Sequence, residues 1–279
     1  MSRRQVLSAY SHFAMAILWT AALAVALAFA LISGLHHLLW LRMRSGHPAT
    51  PIWLWLAVAL LSGATLTFWY RIVSAAVRYR RQRRQVSDRL APLLQPFPQA
   101  VQDGVLMAAD WYLIDDRSER YAFTWGGYRP RVGISRGLWD ALDGPARRAV
   151  MYHEAAHALV RDPLQQTVLQ VLSEALRAFG MQALYQRYLV RREIVADTLA
   201  VSACGGDDQP LLSALLAAAG GSAGVEARVG LTGALEARVR FLETRRAPSW
   251  WDRCIGTRLM VGTAAIALTV AEGLLVLCR

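Results

Sequence analysis

Two long stretches without a single charge limit where this chain can fold. Phe13 to Leu35 is a run of 23 residues, and Ile52 to Tyr70 is another of 19. At about 1.5 Å of rise per helical residue, each spans most or all of the roughly 30 Å hydrocarbon layer of a bilayer. A third run, Leu259 to Cys278, has 20 residues and one acid, Glu272. Glu272 lies near the end of its run, where snorkelling or a partner in the helix bundle suits it better than an ion pathway. Tryptophans border the runs: Trp40, Trp53, Trp55, Trp69, Trp250 and Trp251. Their amphipathic rings favour the headgroup level. The pattern predicts three transmembrane helices. With 55% hydrophobic and only 18% charged residues in 279, a disordered chain, a collagen, a coiled coil and a disulfide-stapled secreted module are excluded.

Arginine placement predicts the orientation. All 31 basic residues are Arg, against 20 acids, for a net charge of +11. Arg3 and Arg4 precede the first run, and Arg42 and Arg44 lie in the short connection to the second. Arg71, Arg78, Arg80, Arg81, Arg83, Arg84 and Arg89 follow the second, opposed by Asp88. Arg245, Arg246, Arg253 and Arg258 precede the third run, and Arg279 follows it. The positive-inside rule then puts the N-terminus and residues 71–258 in the cytoplasm. The lack of any Lys or Asn suggests a GC-rich coding sequence. The expected location is therefore a bacterial cytoplasmic membrane, crossed several times. The Arg tract interleaves only Tyr79, so it reads as a solvated or lipid-facing flank, and no direct nucleic-acid binding is expected. Ser2 to Leu7 resembles a twin-arginine export signal, but the long run behind it and the second run soon after favour a retained span. Cys204, Cys254 and Cys278 are odd in number and unpaired in spacing, which excludes a disulfide framework or a thiolate zinc site.

Four segments follow: a transmembrane hairpin over 1–75, a basic juxtamembrane linker or helix over 76–104, a cytoplasmic domain over 105–250, and a C-terminal transmembrane helix over 251–279. Within the domain, Val105 to Ile114, Tyr121 to Trp125 and Arg131 to Ser135 are rich in aromatic and β-branched residues. They read as a small antiparallel sheet. Helices are expected over Gly144 to Val160, Leu164 to Tyr188 and Arg191 to Cys204, and Gly220 to Gly224 reads as a flexible connection. The fold class is α+β, mostly helical.

His153-Glu154-Ala155-Ala156-His157 carries the chemistry. On a helix, residues four apart share a face, so two imidazoles converge on one metal ion, with Glu154 beside them. With 6 His in the chain, chance supplies such a motif roughly 0.004 times per chain of this length. A catalytic zinc takes three protein ligands and a water whose pKa falls to about 7; Glu154 is placed to take that proton and pass it to the leaving nitrogen. Glu193 is the first candidate for the third ligand, with Asp197 or Glu174 as alternatives. Asp197, one turn after Glu193, and Asp162 are candidates to hold the ligating rings from outside the ion. The expected cofactor is a single zinc ion.

Around this motif lie Tyr121-Ala122-Phe123-Thr124-Trp125-Gly126-Gly127-Tyr128-Arg129-Pro130-Arg131-Val132, Arg161-Asp162-Pro163-Leu164 and Glu193-Ile194-Val195-Ala196-Asp197. Over roughly residues 105–246 the combination resembles the BlaR/MecR family of bacterial membrane zinc peptidases. The resemblance implies a gluzincin-like zinc peptidase core at the cytoplasmic membrane face, with His153, His157 and Glu193 as ligands and Glu154 as general base. It also implies a protein substrate, with a winged-helix repressor as the partner that family members often inactivate. Sensor members carry a penicillin-binding domain after a fourth span; here three runs are found and Arg279 alone follows the last, so β-lactam sensing by this chain alone is not expected. HtpX-like membrane quality-control peptidases share His-Glu-x-x-His and Glu-x-x-x-Asp; Arg129-Pro130-Arg131 and Asp162-Pro163-Leu164 favour the BlaR/MecR type. A non-catalytic membrane signalling scaffold is the reading outside enzymology. No His or Tyr follows Glu193, so Arg238, Arg240 or Tyr128 is left to polarise the scissile carbonyl. A peptide adding as a strand to the edge Tyr121–Trp125 or Arg131–Ser135 would present its carbonyl to the zinc.

Overall fold

The computed structural model of the chain describes residues 3–44, 52–97, 108–177, 180–220, 238–242 and 244. Its first two elements extend the apolar runs into longer helices, α1 over Arg3–Arg44 and α2 over Ile52–Leu90. Both are long and apolar enough to cross a membrane. Only 17% of the most apolar window of each is buried, whereas the core helix of a soluble protein would hide most of it. This is a membrane protein. The third run, with Glu272, Trp250 and Trp251, lies outside the described residues, as do 105–107 at the start of the first expected strand and most of the glycine-rich connection.

The chain folds as two units. One holds Ala14–Arg78 and Val171–Leu184, the other Tyr79–Gln170 and Tyr185–Asp252. In the first unit Leu38, Leu54 and Val58 pack together with Leu31. Gly34 lies at this approach: a Cβ there would stand 3.3 Å from Val58 Cγ2, a tight contact. Small residues let helix backbones close up in this way where lipid offers no hydrophobic drive. Thr20, Ser62 and Thr65 donate their hydroxyls to carbonyls four residues back, which spares these three groups from facing hydrocarbon unpaired.

The other unit contains the sheet. Its strands are β1 (Leu94–Pro96), β2 (Asp110–Ile114), β3 (Ala122–Trp125) and β4 (Arg131–Ser135), in the order β1-β2-β4-β3. The expected all-antiparallel sheet is corrected to a mixed one. β2 and β4 run parallel, with Asp110 opposite Arg131 and Ile114 opposite Ser135, while the outer pairs β1–β2 and β3–β4 are antiparallel. The reason lies in the link between β2 and β3. Asp116 gathers it by accepting from Ser118 N, Ser118 Oγ and Glu119 N. It is then fastened across the end of β4: Gly137 N donates to Asp116 O, Tyr121 N donates to Ser135 Oγ, and that hydroxyl donates to Glu119 O. A Cβ at Gly137 would lie 2.6 Å from Glu119 O and 2.7 Å from Arg117 O, so only glycine admits the crossing. The link therefore delivers β3 to the far side of β4. Of the two expected edges, β3 is an edge and β4 is central.

Ser135 ends the sheet and caps α3 (Arg136–Ala141), accepting from Leu138 N. Asp143 caps α4 (Gly144–Leu159) through Ala146 N at 2.8 Å, and Pro145 fits the first turn. α4 is buried on nearly every side. Val150, Met151 and Ala155 pack with Trp111, Val132 and Ile134 of the sheet and Ala214 of α7 (Gln209–Ala219), while Ala149 meets Ala200, Val201, Leu211 and Leu242. Alanines bring the helices close.

After α4 the sequence periodicity suggests helices over Leu164 to Tyr188 and Arg191 to Cys204. The structure moves the break: α5 covers Asp162–Ala175, and α6 runs unbroken over Met181–Ala203. Gly180 has φ +77°, a left-handed conformation that glycine adopts without steric cost. Because α6 does not pause at residue 189, Tyr188, Arg192, Glu193 and Asp197 share one rigid element.

Candidate metal centre

α4 carries His153 and His157 one turn apart, both buried. Their Nε2 atoms face each other at 3.2 Å. α6 brings Glu193 against them, with Oε2 3.4 Å from His153 Nε2 and Oε1 3.7 Å from His157 Nε2. The three ligand atoms lie within 4.8 Å of one another. Donors about 2.0–2.1 Å from one tetrahedral zinc stand roughly 3.3 Å apart, so these separations fit a shared ion.

Each imidazole has its other nitrogen turned to an aspartate. His157 Nδ1 lies 2.5 Å from Asp162 Oδ2, and Tyr188 donates its hydroxyl to Asp162 Oδ1 at 2.5 Å. Asp162 reaches the ring because Arg161, at φ +52°, turns the chain sharply between α4 and α5. His153 Nδ1 stands 2.9 Å from Asp197 Oδ1, although off the line a hydrogen bond needs. Arg238 holds Asp197 with two bonds, Nε to Oδ2 at 2.8 Å and Nη2 to Oδ1 at 2.7 Å. Its Nη1 is 3.2 Å from Glu193 Oε2, and Arg192 Nη2 is 3.0 Å from Glu193 Oε1. An imidazole whose Nδ1 faces a carboxylate presents the Nε2 lone pair to a metal.

The charges point the same way. Burial opposes ionisation of Glu193, yet His157, Arg192, His153 and Arg238 hold its carboxyl well below the usual range. Asp162 and Asp197 are also lowered against the cost of burial, Asp162 by His157 and Arg192 and Asp197 by Arg238 and His153. Asp162, Glu193, Asp197 and Glu154 beside them outnumber the guanidiniums of Arg192 and Arg238 by two. A divalent ion held at this point would offset that excess of carboxylates. In the metal-free protein a proton partly substitutes: burial disfavours charge on His153, but Asp197 and Glu193 raise it to about 9.

Glu154 is buried beside the pair, and its Oε2 accepts from Thr124 Oγ1 of β3 at 2.7 Å. The remaining sequence candidates separate. Arg238, expected near the scissile carbonyl, instead directs three of its nitrogens at Asp197 and Glu193, so its geometry is that of a holder of carboxylates. Asp197, the alternative ligand, spends its oxygens on Arg238 and His153. Glu174, the other alternative, pairs with Arg78 at 2.6 Å on an exposed surface. Tyr128 is exposed, its ring 6.0 Å from the Arg161 guanidinium, and meets neither histidine. Sequence reasoning missed Thr124, Tyr188 and Arg192. Arg192 was visible as the neighbour of Glu193; nothing in the spacing of Thr124 or Tyr188 flags either residue.

The sequence model of Peptidase family M48 matches residues 84–204. That stretch includes His153, Glu154, His157, Glu193 and Asp197, and ends before Arg238. No curated protein and no solved structure matches the chain. The matched segment and the geometry together make the chain a zinc metallopeptidase, a hydrolase acting on peptide bonds. The match supports the zinc-peptidase part of the resemblance drawn from sequence and does not single out the BlaR/MecR type.

Proposed function

We propose that the chain is a membrane-anchored endopeptidase that holds one zinc ion between His153, His157 and Glu193 and uses Glu154 as general base on a protein substrate. The observation that carries this reading is the convergence of two buried imidazoles, each with an aspartate at Nδ1, on a point they share with a Glu193 oxygen. Zinc bound there supplies Lewis acidity, which makes water a nucleophile near neutral pH. Glu154 takes the proton that water loses and returns it to the leaving amine. Arg192 and Arg238 keep Glu193 ionised, Asp162 fixes the orientation of the His157 ring, and Asp197 sets a negative charge beside Nδ1 of His153. β3 has β4 on one side, and no described strand pairs with the other. An extended peptide added to that edge runs alongside Thr124 and so beside Glu154.

Purified protein is expected to hold about one zinc per chain, and Glu154→Gln to keep the metal while abolishing proteolysis. A folded chain that takes up no metal would end this account. Glu154→Gln with an unchanged cellular output would instead favour a signalling scaffold.

The substrate is a narrower proposal. Arg129-Pro130-Arg131 and Asp162-Pro163-Leu164, the residues behind the BlaR/MecR resemblance, support a winged-helix repressor; the M48 match speaks to peptide-bond hydrolysis and names no substrate. Trapping with Glu154→Gln followed by mass spectrometry separates the two cases. A bound repressor supports regulation, and misfolded membrane proteins in its place support quality control.

A further inference from the structure

We propose that Thr124 is a positioning residue for Glu154, fixing which carboxylate oxygen is free to work. The proposal rests on Glu154 acting as general base. Alternation along β3 puts Phe123 and Trp125 on one face, joined by Tyr121 just before the strand, with ring centroids 5.9 Å (Tyr121–Phe123) and 5.1 Å (Phe123–Trp125) apart. Ala122 and Thr124 then occupy the opposite face. Ala122 packs against the core shared by the sheet and α4, and the Thr124 hydroxyl reaches α4 itself.

That hydroxyl lies 2.7 Å from Glu154 Oε2 and 3.1 Å from Glu154 O. It has one proton, and the shorter, charge-assisted contact to the carboxylate is the stronger use of it. Among the described residues this is the one side-chain hydrogen bond that Glu154 receives. A buried carboxylate held at one oxygen is restrained about its terminal torsion, which is otherwise broad. Oε2 is pinned to the strand, and Oε1 is left to accept and release the proton. The anchor sits on the edge strand where a peptide would add, so the base is registered to the strand that receives substrate rather than to the metal ligands alone. A methyl in place of the hydroxyl would leave both Glu154 oxygens unheld within the same packing.

The test uses the full-length protein in detergent with Thr124→Val, which keeps shape and loses the hydroxyl, and Thr124→Ser, which does the reverse. Cleavage of β-casein is measured as kcat and KM, alongside zinc content and the visible d–d absorption of cobalt-loaded protein. Thr124→Val is expected to hold metal normally, keep KM, and lose roughly ten- to hundredfold in kcat, with a changed cobalt band. Thr124→Ser is expected to recover most of the loss and the wild-type band. Packing alone would favour Val over Ser, so a Val variant as active as wild type, or a Ser variant more impaired than Val, overturns the proposal. Wild-type protein that holds zinc and leaves casein intact counts against the peptidase reading instead. The cobalt band then decides the role of Thr124, and a Thr124→Val band superimposable on wild type overturns it.

Discussion

His153 and Asp162 show how single residues set the behaviour of the centre. His153 is raised from 6.5 to about 9 in the metal-free protein, its aspartate and glutamate neighbours outweighing burial. Between those values a proton sits where the ion belongs, so loading the ion must release it. Zinc affinity is therefore expected to rise about tenfold per pH unit from pH 7 toward 9, measured by competition with a chromophoric chelator; a flat response would contradict the buried proton. The sign for stability is opposite. Without metal, the contribution of His153 is full below about 6.5 and fades as pH climbs through about 9, so the empty protein should soften in alkaline buffer. Asp162 orients His157 while Tyr188 orients Asp162. Asp162→Asn is expected to weaken zinc binding about 10–100-fold with helical content unchanged by circular dichroism.

Among the elements, the hairpin between β3 and β4 offers a sharp contrast. Gly126 has φ +97°, and a Cβ there would stand 2.4 Å from Arg129 O; a Cβ at its neighbour Gly127 meets nothing within 4 Å. Gly126→Ala is expected to cost about 2–4 kcal/mol and to lower activity by shifting the edge strand, while Gly127→Ala stays within about 0.5 kcal/mol. Equal melting temperatures for the two variants would refute that account. The same elements show what was legible in advance. His153, Glu154 and His157 were readable because a four-residue spacing is local, and the helix that carries them was expected over Gly144 to Val160, within one residue of α4. The parallel pairing of β2 with β4 was not readable, since it depends on a side-chain knot at Asp116 and on bare space at Gly137. The break at Gly180 was misplaced because apolar spacing alone carries on through a glycine. Arg238 stands out in the sequence, but its pairing with Asp197 and Glu193 is visible only in the folded chain.

At the scale of the whole molecule, two helices suited to a bilayer accompany a hydrolytic centre whose charged groups are almost all buried. The chain is expected to stay in the membrane pellet through alkaline carbonate and to leave it only with detergent; release by carbonate would contradict the exposed apolar surface of α1 and α2. The distribution of Arg is the ground on which the catalytic unit is expected on the cytoplasmic side. A green fluorescent protein fused to the N-terminus is expected to fluoresce, and alkaline phosphatase fused there to be inactive. Within the centre, His153, Glu154, His157 and Asp162 come from one short stretch of chain, whereas Arg238, which neutralises Asp197 and leans on Glu193, arrives much later in synthesis. A nascent polypeptide thus displays its nitrogen donors well before the guanidinium that completes their surroundings has left the ribosome. Assembly of the metal centre is therefore expected to finish only once residue 238 has emerged.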